Sequence, residues 1–140
     1  MSERLNAIID KFEIQELLTA YAHAIDSCAL EELDDLFTEG AEIDYTATGG
    51  IKGSLEDIKP FLRSALPMFK ATQHFVTNPL IVLSGDSATS RSLLFNTMTM
   101  EQDSGLQTLL IGAWYNDELV RTDAGWRIAK RSQDLAFMQN

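Results

Sequence analysis

The sequence predicts an α+β fold in which N-terminal helices pack on one face of a curved, mostly antiparallel sheet and enclose a pocket. Three observations lead there. The first half carries apolar residues at three- and four-residue intervals. The second half carries four long segments rich in β-branched and aromatic residues, and the short gaps between them hold Gly beside Asp or Ser. At 140 residues the chain is long enough to bury its own core, so residues 1–140 are expected to form one domain.

The elements follow in order. Leu5, Ile8, Ile9, Phe12, Leu17, Leu18, Tyr21, Ala22 and Ile25 predict an amphipathic helix of about six turns. The phase slips near Asp26–Ser27–Cys28, and Leu30, Leu33, Leu36 and Phe37 begin a short second helix. Ala41–Tyr45 reads as a strand and Gly49–Gly50 as a turn. Ser54 is the expected N-cap of a third helix, with Asp57 at the capping-box position. Leu55, Ile58, Phe61, Leu62 and Leu66 form its apolar face, and Pro67 ends it. Four strands then follow at Thr72–Leu83, Ala88–Met100, Leu106–Arg121 and Trp126–Phe137, joined by hairpin chemistry. Long, twisted strands of this kind can curl around helices and leave a small-molecule cavity.

Composition narrows the function. Twenty-one acidic against 11 basic residues give a net charge of −10, which opposes nucleic-acid binding and attraction to anionic membrane surfaces. The longest apolar stretch, Leu109–Tyr115 with Gly112 inside it, is far too short to span a bilayer. The opening MSERLNAIIDKFE has no apolar core of a signal peptide, and the single Cys28 fits a reducing compartment, so the expected location is the cytoplasm. No HExxH, CxxC or EF-hand pattern is present, and neither GxGxxG nor GxxxxGK[ST] occurs. A site without metal or cofactor is what remains.

His74, in TQHFVTN, is the first chemical candidate. Alternation puts His74, Val76, Asn78 and Leu80 on one face and Phe75, Thr77 and Ile81 on the other. If the first face looks inward, His74 is an imidazole at the mouth of an apolar pocket; otherwise it is a packed or surface histidine bonded to a backbone carbonyl. Asp26, closing the long helix, is either a cap for the next helix or the carboxylate that orients His74. Tyr21 precedes it by five residues, about 140° round the helix, so both line a pocket only where sheet wraps the helix end. Tyr45 closes EIDY; core filling is the plain role for either tyrosine. His23 reads as a solvated helix residue. Arg131 shares a face with Arg127 and is either a surface cation or a guanidinium facing the pocket. Leu110, Trp114 and Val120 oppose Ile111, Ala113 and Tyr115, so one strand is apolar on both sides. That predicts a homodimer or higher homo-oligomer.

TQHFVTN, with YAHAID, EIDY and NDELVRTDAGWRIAKR, resembles the SnoaL-like branch of the nuclear transport factor 2-like (NTF2-like) superfamily over residues 8–135. The resemblance implies a cone-shaped, cystatin-like fold. It also implies that His74 is the catalytic base of a scytalone dehydratase or hexachlorocyclohexane dehydrochlorinase type of site, and that Asp26 pairs with it. By the same resemblance Tyr21 falls on a pocket tyrosine of bile-acid dehydratase, Tyr45 on a substrate-holding tyrosine, and Arg131 on a pocket arginine. The chain departs from scytalone dehydratase at Asn96, where that enzyme has a second histidine, and at Ile25, where it has a tyrosine. The expected function is a cofactor-independent, dehydratase-type lyase acting on a small apolar or cyclic substrate. The alternatives are a ketosteroid-isomerase-like isomerase and a non-catalytic ligand-binding or oxygenase-partner subunit. The expected pocket holds Tyr21, Asp26, Tyr45, Phe61, Leu62, His74, Val76, Asn78, Ile111, Ala113, Tyr115 and Arg131.

Overall fold

The computed structural model describes residues 2–140. Helix α1 spans Glu3–Asp26, opened by Ser2, whose hydroxyl accepts from the Leu5 amide. Its apolar stripe divides in two. Ile14, Leu17, Leu18, Tyr21 and Ile25 are buried against the sheet, whereas Leu5, Ile8, Ile9 and Phe12 stay exposed. The helix breaks at the phase slip: Cys28 takes a left-handed conformation (φ 56°), and the Ala29 amide reaches back to the Ala24 carbonyl. The expected second helix is a 3-10 turn, Leu30–Asp35, whose three-residue period seats Leu30 and Leu33 in the core.

Strand β1 spans Phe37–Asp44, starting earlier than its sequence pattern suggests, and Tyr45 lies just beyond it. A three-residue strand, β2 (Lys52–Ser54), returns beside β1. Helix α2 (Leu55–Ala65) begins with the expected capping box: the Asp57 amide donates to Ser54 Oγ, and the Ser54 amide donates to the Asp57 carboxylate. Pro67 falls in the 3-10 turn that follows it.

Strands β3 (Ala71–Ser84), β4 (Ser87–Gln102), β5 (Gly105–Thr122) and β6 (Gly125–Gln139) form an antiparallel meander where four strands are predicted. The sheet order is β2-β1-β6-β5-β4-β3, and β1 joins β6 in parallel. The sheet therefore stays open, with the helices on its concave face. Trp126, Leu119 and Ile128 are buried in the core.

One expectation about β3 fails. The strand bulges between Thr77 and Leu80, with Asn78 at φ 52°. An extra residue there reverses the alternation. Ile81 turns inward and is buried, while Leu80 points out and is 68% exposed. Asn78 sits at the reversal itself, exposed and outside the pocket in which it is expected.

Candidate active site

The C-terminal end of α1 brings Asp26 to the start of β3. Its Oδ1 stands 2.6 Å from His74 Nδ1 and accepts from Thr72 Oγ1 at 3.1 Å, while its Oδ2 accepts from the His74 backbone amide at 2.8 Å. Both the ring and the backbone of His74 are thus tied to one carboxylate. Nδ1 is the nitrogen that donates, which leaves Nε2 as the proton acceptor of the neutral ring. The His74 side chain is only 8% exposed, whereas the Asp26 carboxylate behind it keeps 24% of its surface open to water.

His74 lines a cavity of about 260 Å³ between α1, α2 and the inner face of the sheet. Ile25, Phe61, Leu62 and Leu66 form the helical wall; Leu94, Met98, Leu109 and Ile111 form the sheet wall. The mouth carries Met68, Phe69 and the loop Thr48–Gly49–Gly50. Gly49 has φ 90°, and a Cβ on Gly50 would lie 2.8 Å from that of Tyr45, so glycine allows this loop to fold back tightly. The loop is tethered across the mouth where Thr48 Oγ1 donates to Gln133 Oε1 at 2.8 Å.

Deep in the cavity the hydroxyls of Tyr21 and Tyr45 meet at 2.6 Å, and Tyr115 donates to Tyr21 over a longer 3.5 Å. Burial pushes the ionisation of all three up from the ordinary tyrosine range, that of Tyr21 well up, so they remain neutral hydrogen-bond donors at physiological pH. Arg131 lies beneath them. Its Cζ is 4.3 Å from the Tyr21 ring centroid and 3.9 Å from that of Tyr115. Burial opposes the charge on the guanidinium, but the bidentate Asp117 carboxylate outweighs it and holds Arg131 well above the ordinary arginine range.

Seven of the residues expected around the pocket do line it: Tyr21, Tyr45, Phe61, Leu62, His74, Ile111 and Tyr115. Asp26 stands behind His74. Arg131 does not face the cavity, because its charge is held by Asp117 under the tyrosines. Val76 shares the His74 face but borders a shallow groove against Thr19 and Ala22 of α1. Ala113 is buried between Ile111 and Tyr115, its methyl too short to reach the cavity. Asp117 is a site residue outside the expected set, although it continues the inward face of Ile111, Ala113 and Tyr115; a carboxylate on such a face signals a buried partner. Thr72 and Gln133 carry no comparable signal in the sequence, whereas Asn96, marked by its departure from the resembled dehydratase, does line the cavity. Among the described residues, no three or more His, Cys, Asp or Glu side chains converge as metal ligands would.

Known proteins share this architecture. The SnoaL-like domain family matches residues 6–132. The uncharacterized protein Rv2910c of Mycobacterium tuberculosis is 42% identical over 132 residues, covering 94% of this chain and 89% of that protein. A solved structure from Novosphingobium aromaticivorans, provisionally named a scytalone dehydratase, superposes with a TM-score of 0.84 at 21% identity, covering 95% of this chain and 88% of that one. The hexachlorocyclohexane dehydrochlorinase LinA-type3 of Novosphingobium barchaimii gives a TM-score of 0.82 at 20% identity, with 98% and 93% covered. At these identities the two structures speak to fold alone, and the fold is the NTF2-like, cystatin-like cone. With the family matched over nearly its whole length, the chain belongs to the SnoaL-like domain family.

Proposed function

We propose that this protein is a cofactor-independent lyase that carries out a dehydratase-type elimination on a small apolar or cyclic carbonyl compound. The observation that carries the reading is the His74–Asp26 pair, with Nε2 left free at a largely apolar cavity that also holds hydrogen-bonded, neutral tyrosines. In this reading His74 Nε2 removes a proton α to the carbonyl, and Asp26 stabilises the imidazolium that forms. Tyr21 and Tyr45 share one hydrogen bond between two hydroxyls, so one O–H remains to donate to the carbonyl oxygen as charge develops there. Arg131 acts at one remove: it places a fixed positive charge behind the tyrosine rings. The likeness to elimination-type proteins of the same fold agrees with this chemistry.

The test is a panel of small cyclic carbonyl compounds, bound first by thermal shift and then assayed for loss of water. With a substrate in hand, His74→Ala and Asp26→Asn are each expected to lower turnover about 10²-fold or more. Wild-type turnover in either variant overturns the reading. Proton exchange without loss of a leaving group would replace it with an isomerase.

The same reading includes self-association and a cytoplasmic location, where an exposed, unbridged Cys28 is stable. On the outer face of the sheet Phe75, Phe95, Gly112 and Phe137 stand in one row across four strands. The Phe137 ring occupies the space above Gly112, 6.4 Å from Phe95. Phe75, Leu93 and Phe137 remain substantially exposed, an apolar surface suited to a second copy of the chain. Light scattering that reports a monomer at micromolar concentration would overturn this assembly.

A further inference from the structure

The first half of α1 carries a second apolar face. At about 100° per residue, Leu5, Ile8, Ile9 and Phe12 cluster roughly 180° from Asp10, Ile14 and Leu17, which turn toward the sheet. All four are exposed, Ile8 by 56% and Phe12 by 60%. Their exposure is not needed for packing within the chain, because α1 is already buried through its opposite side. Leu5, Ile8 and Phe12 repeat at three and then four residues, the spacing of a coiled-coil seam. The charges beside the seam are segregated. Arg4 and Lys11 run along one edge, each just before an apolar position, and Glu16 stands on the other edge, seven residues after Ile9. Among the described residues, neither Lys11 nor Glu16 has an ion-pair partner in its own chain. Asp10, bonded to Arg121 and Trp126, already holds this stretch of helix on the sheet, so docking here carries no cost of helix nucleation.

We propose that this face docks on the same face of a second copy, with the two α1 helices parallel about a two-fold axis running alongside them. The surface is separate from the outer face of the sheet, and the pairing does not depend on the lyase reading. The charges select both the occupant and the direction. In a parallel pair, a residue on one edge meets the residue five further along on the opposite edge of the other helix. That sets Lys11 against Glu16 of the second copy, twice in each pair. An antiparallel pair would instead set Arg4 and Lys11 against their own counterparts, like charge on like. The seam lies opposite the sheet, so the two domains point away from each other. An anionic lipid surface fits less well, since the chain carries a net charge of −10 and Glu16 borders the face.

Disulfide trapping in Leu5→Cys/Cys28→Ser reads this contact alone, because parallel pairing sets position 5 against itself and antiparallel pairing sets it against position 12. A cross-linked dimer is expected in a glutathione buffer, and adding Phe12→Asp is expected to abolish it. In the same background Lys11→Glu and Glu16→Lys are each expected to lower the cross-linking equilibrium about 10-fold at low salt, since two attractions become two repulsions. Mixing those two variants restores attraction at both places, so the mixture is expected to return to within about 3-fold of the parent. Thermal melts of all variants are expected to match the parent, as these positions are exposed. No cross-link, a cross-link that survives Phe12→Asp, charge variants that behave as the parent, or a mixture that stays weak overturns the pairing. Binding to phosphatidylcholine vesicles that Phe12→Asp abolishes, with no cross-link in the parent, assigns the face to lipid and overturns it too.

Discussion

Arg131 and Asp117 face each other across β5 and β6 as a two-pronged ion pair, Nε to Oδ1 at 2.7 Å and Nη2 to Oδ2 at 2.8 Å, with both side chains fully buried. A pair so placed is tied to stability more than to ligand recognition. Removing one partner leaves the other charge stranded, so Asp117→Ala is expected to cost about 3–5 kcal/mol in chemical denaturation. The double variant Arg131→Met/Asp117→Leu should recover much of that loss. A single Asp117→Ala variant as stable as wild type would show that the pair contributes nothing.

The three tyrosines of the chain all sit in one buried cluster, so alkaline titration reads that cluster alone. Each has a folded-state ionisation raised above the ordinary value of 10.0, by burial first. Their contribution to stability is complete below pH 10 and is lost as pH rises toward the raised folded values, because the unfolded chain ionises first. Near-ultraviolet tyrosinate absorbance should stay flat through pH 10 in the native protein and rise together with unfolding. A normal titration step near pH 10 without unfolding would contradict the burial.

Asp26 is an anchor as well as a partner of the imidazole, since its Oδ2 holds the His74 backbone amide. Asp26→Ala therefore strips partners from that amide, from the ring and from Thr72, and is expected to cost about 1–3 kcal/mol. Asp26→Asn keeps an acceptor and should cost less. Thermal melts of the two variants beside wild type check the order; equal melting temperatures for all three would refute the anchoring role.

Asp10 ties the exposed first half of α1 to the sheet. It meets Arg121 at 2.7 Å and accepts from Trp126 Nε1 at 3.0 Å. The Arg121 hydrogen bond, with help from Trp126, holds its carboxyl below the usual value of 3.8. The stabilisation is present above that value and is lost as pH falls through the lower, folded one. Asp10→Asn should flatten the acid limb of a melting-temperature profile below about pH 4. An unchanged acid limb would refute the contribution.

The parts of the fold carried by local rules were legible. Hairpin gaps, the Ser54–Asp57 cap and the phase slip at Cys28 each depend on a few adjacent residues. Strand β2 was not legible, since three residues carry no periodicity. The parity of β3 beyond Thr77 was hidden because a bulge leaves no hydrophobic signature; Asn78–Pro79, a pair that resists regular strand, was the one hint. At the site, His74, Tyr21 and Tyr45 were found by residue type and resemblance. Arg131 was found but wrongly aimed, because a strand pattern gives the face of a side chain and not its partner. Asp117, read with Ile111, Ala113 and Tyr115, would have supplied that partner.

The bulge at Asn78 makes β3 a strand that has to be counted. Upstream the even-numbered His74 looks inward; downstream the odd-numbered Ile81 does. Deleting one residue here would restore plain alternation and force a choice: either the imidazole rotates to the outside or Ile81 leaves the core. A substitution along β3 changes one side chain, whereas a change in its length moves every side chain beyond it to the other face. Chain length between position 74 and position 81 is therefore itself a determinant of this site, as binding as the identity of any side chain in it.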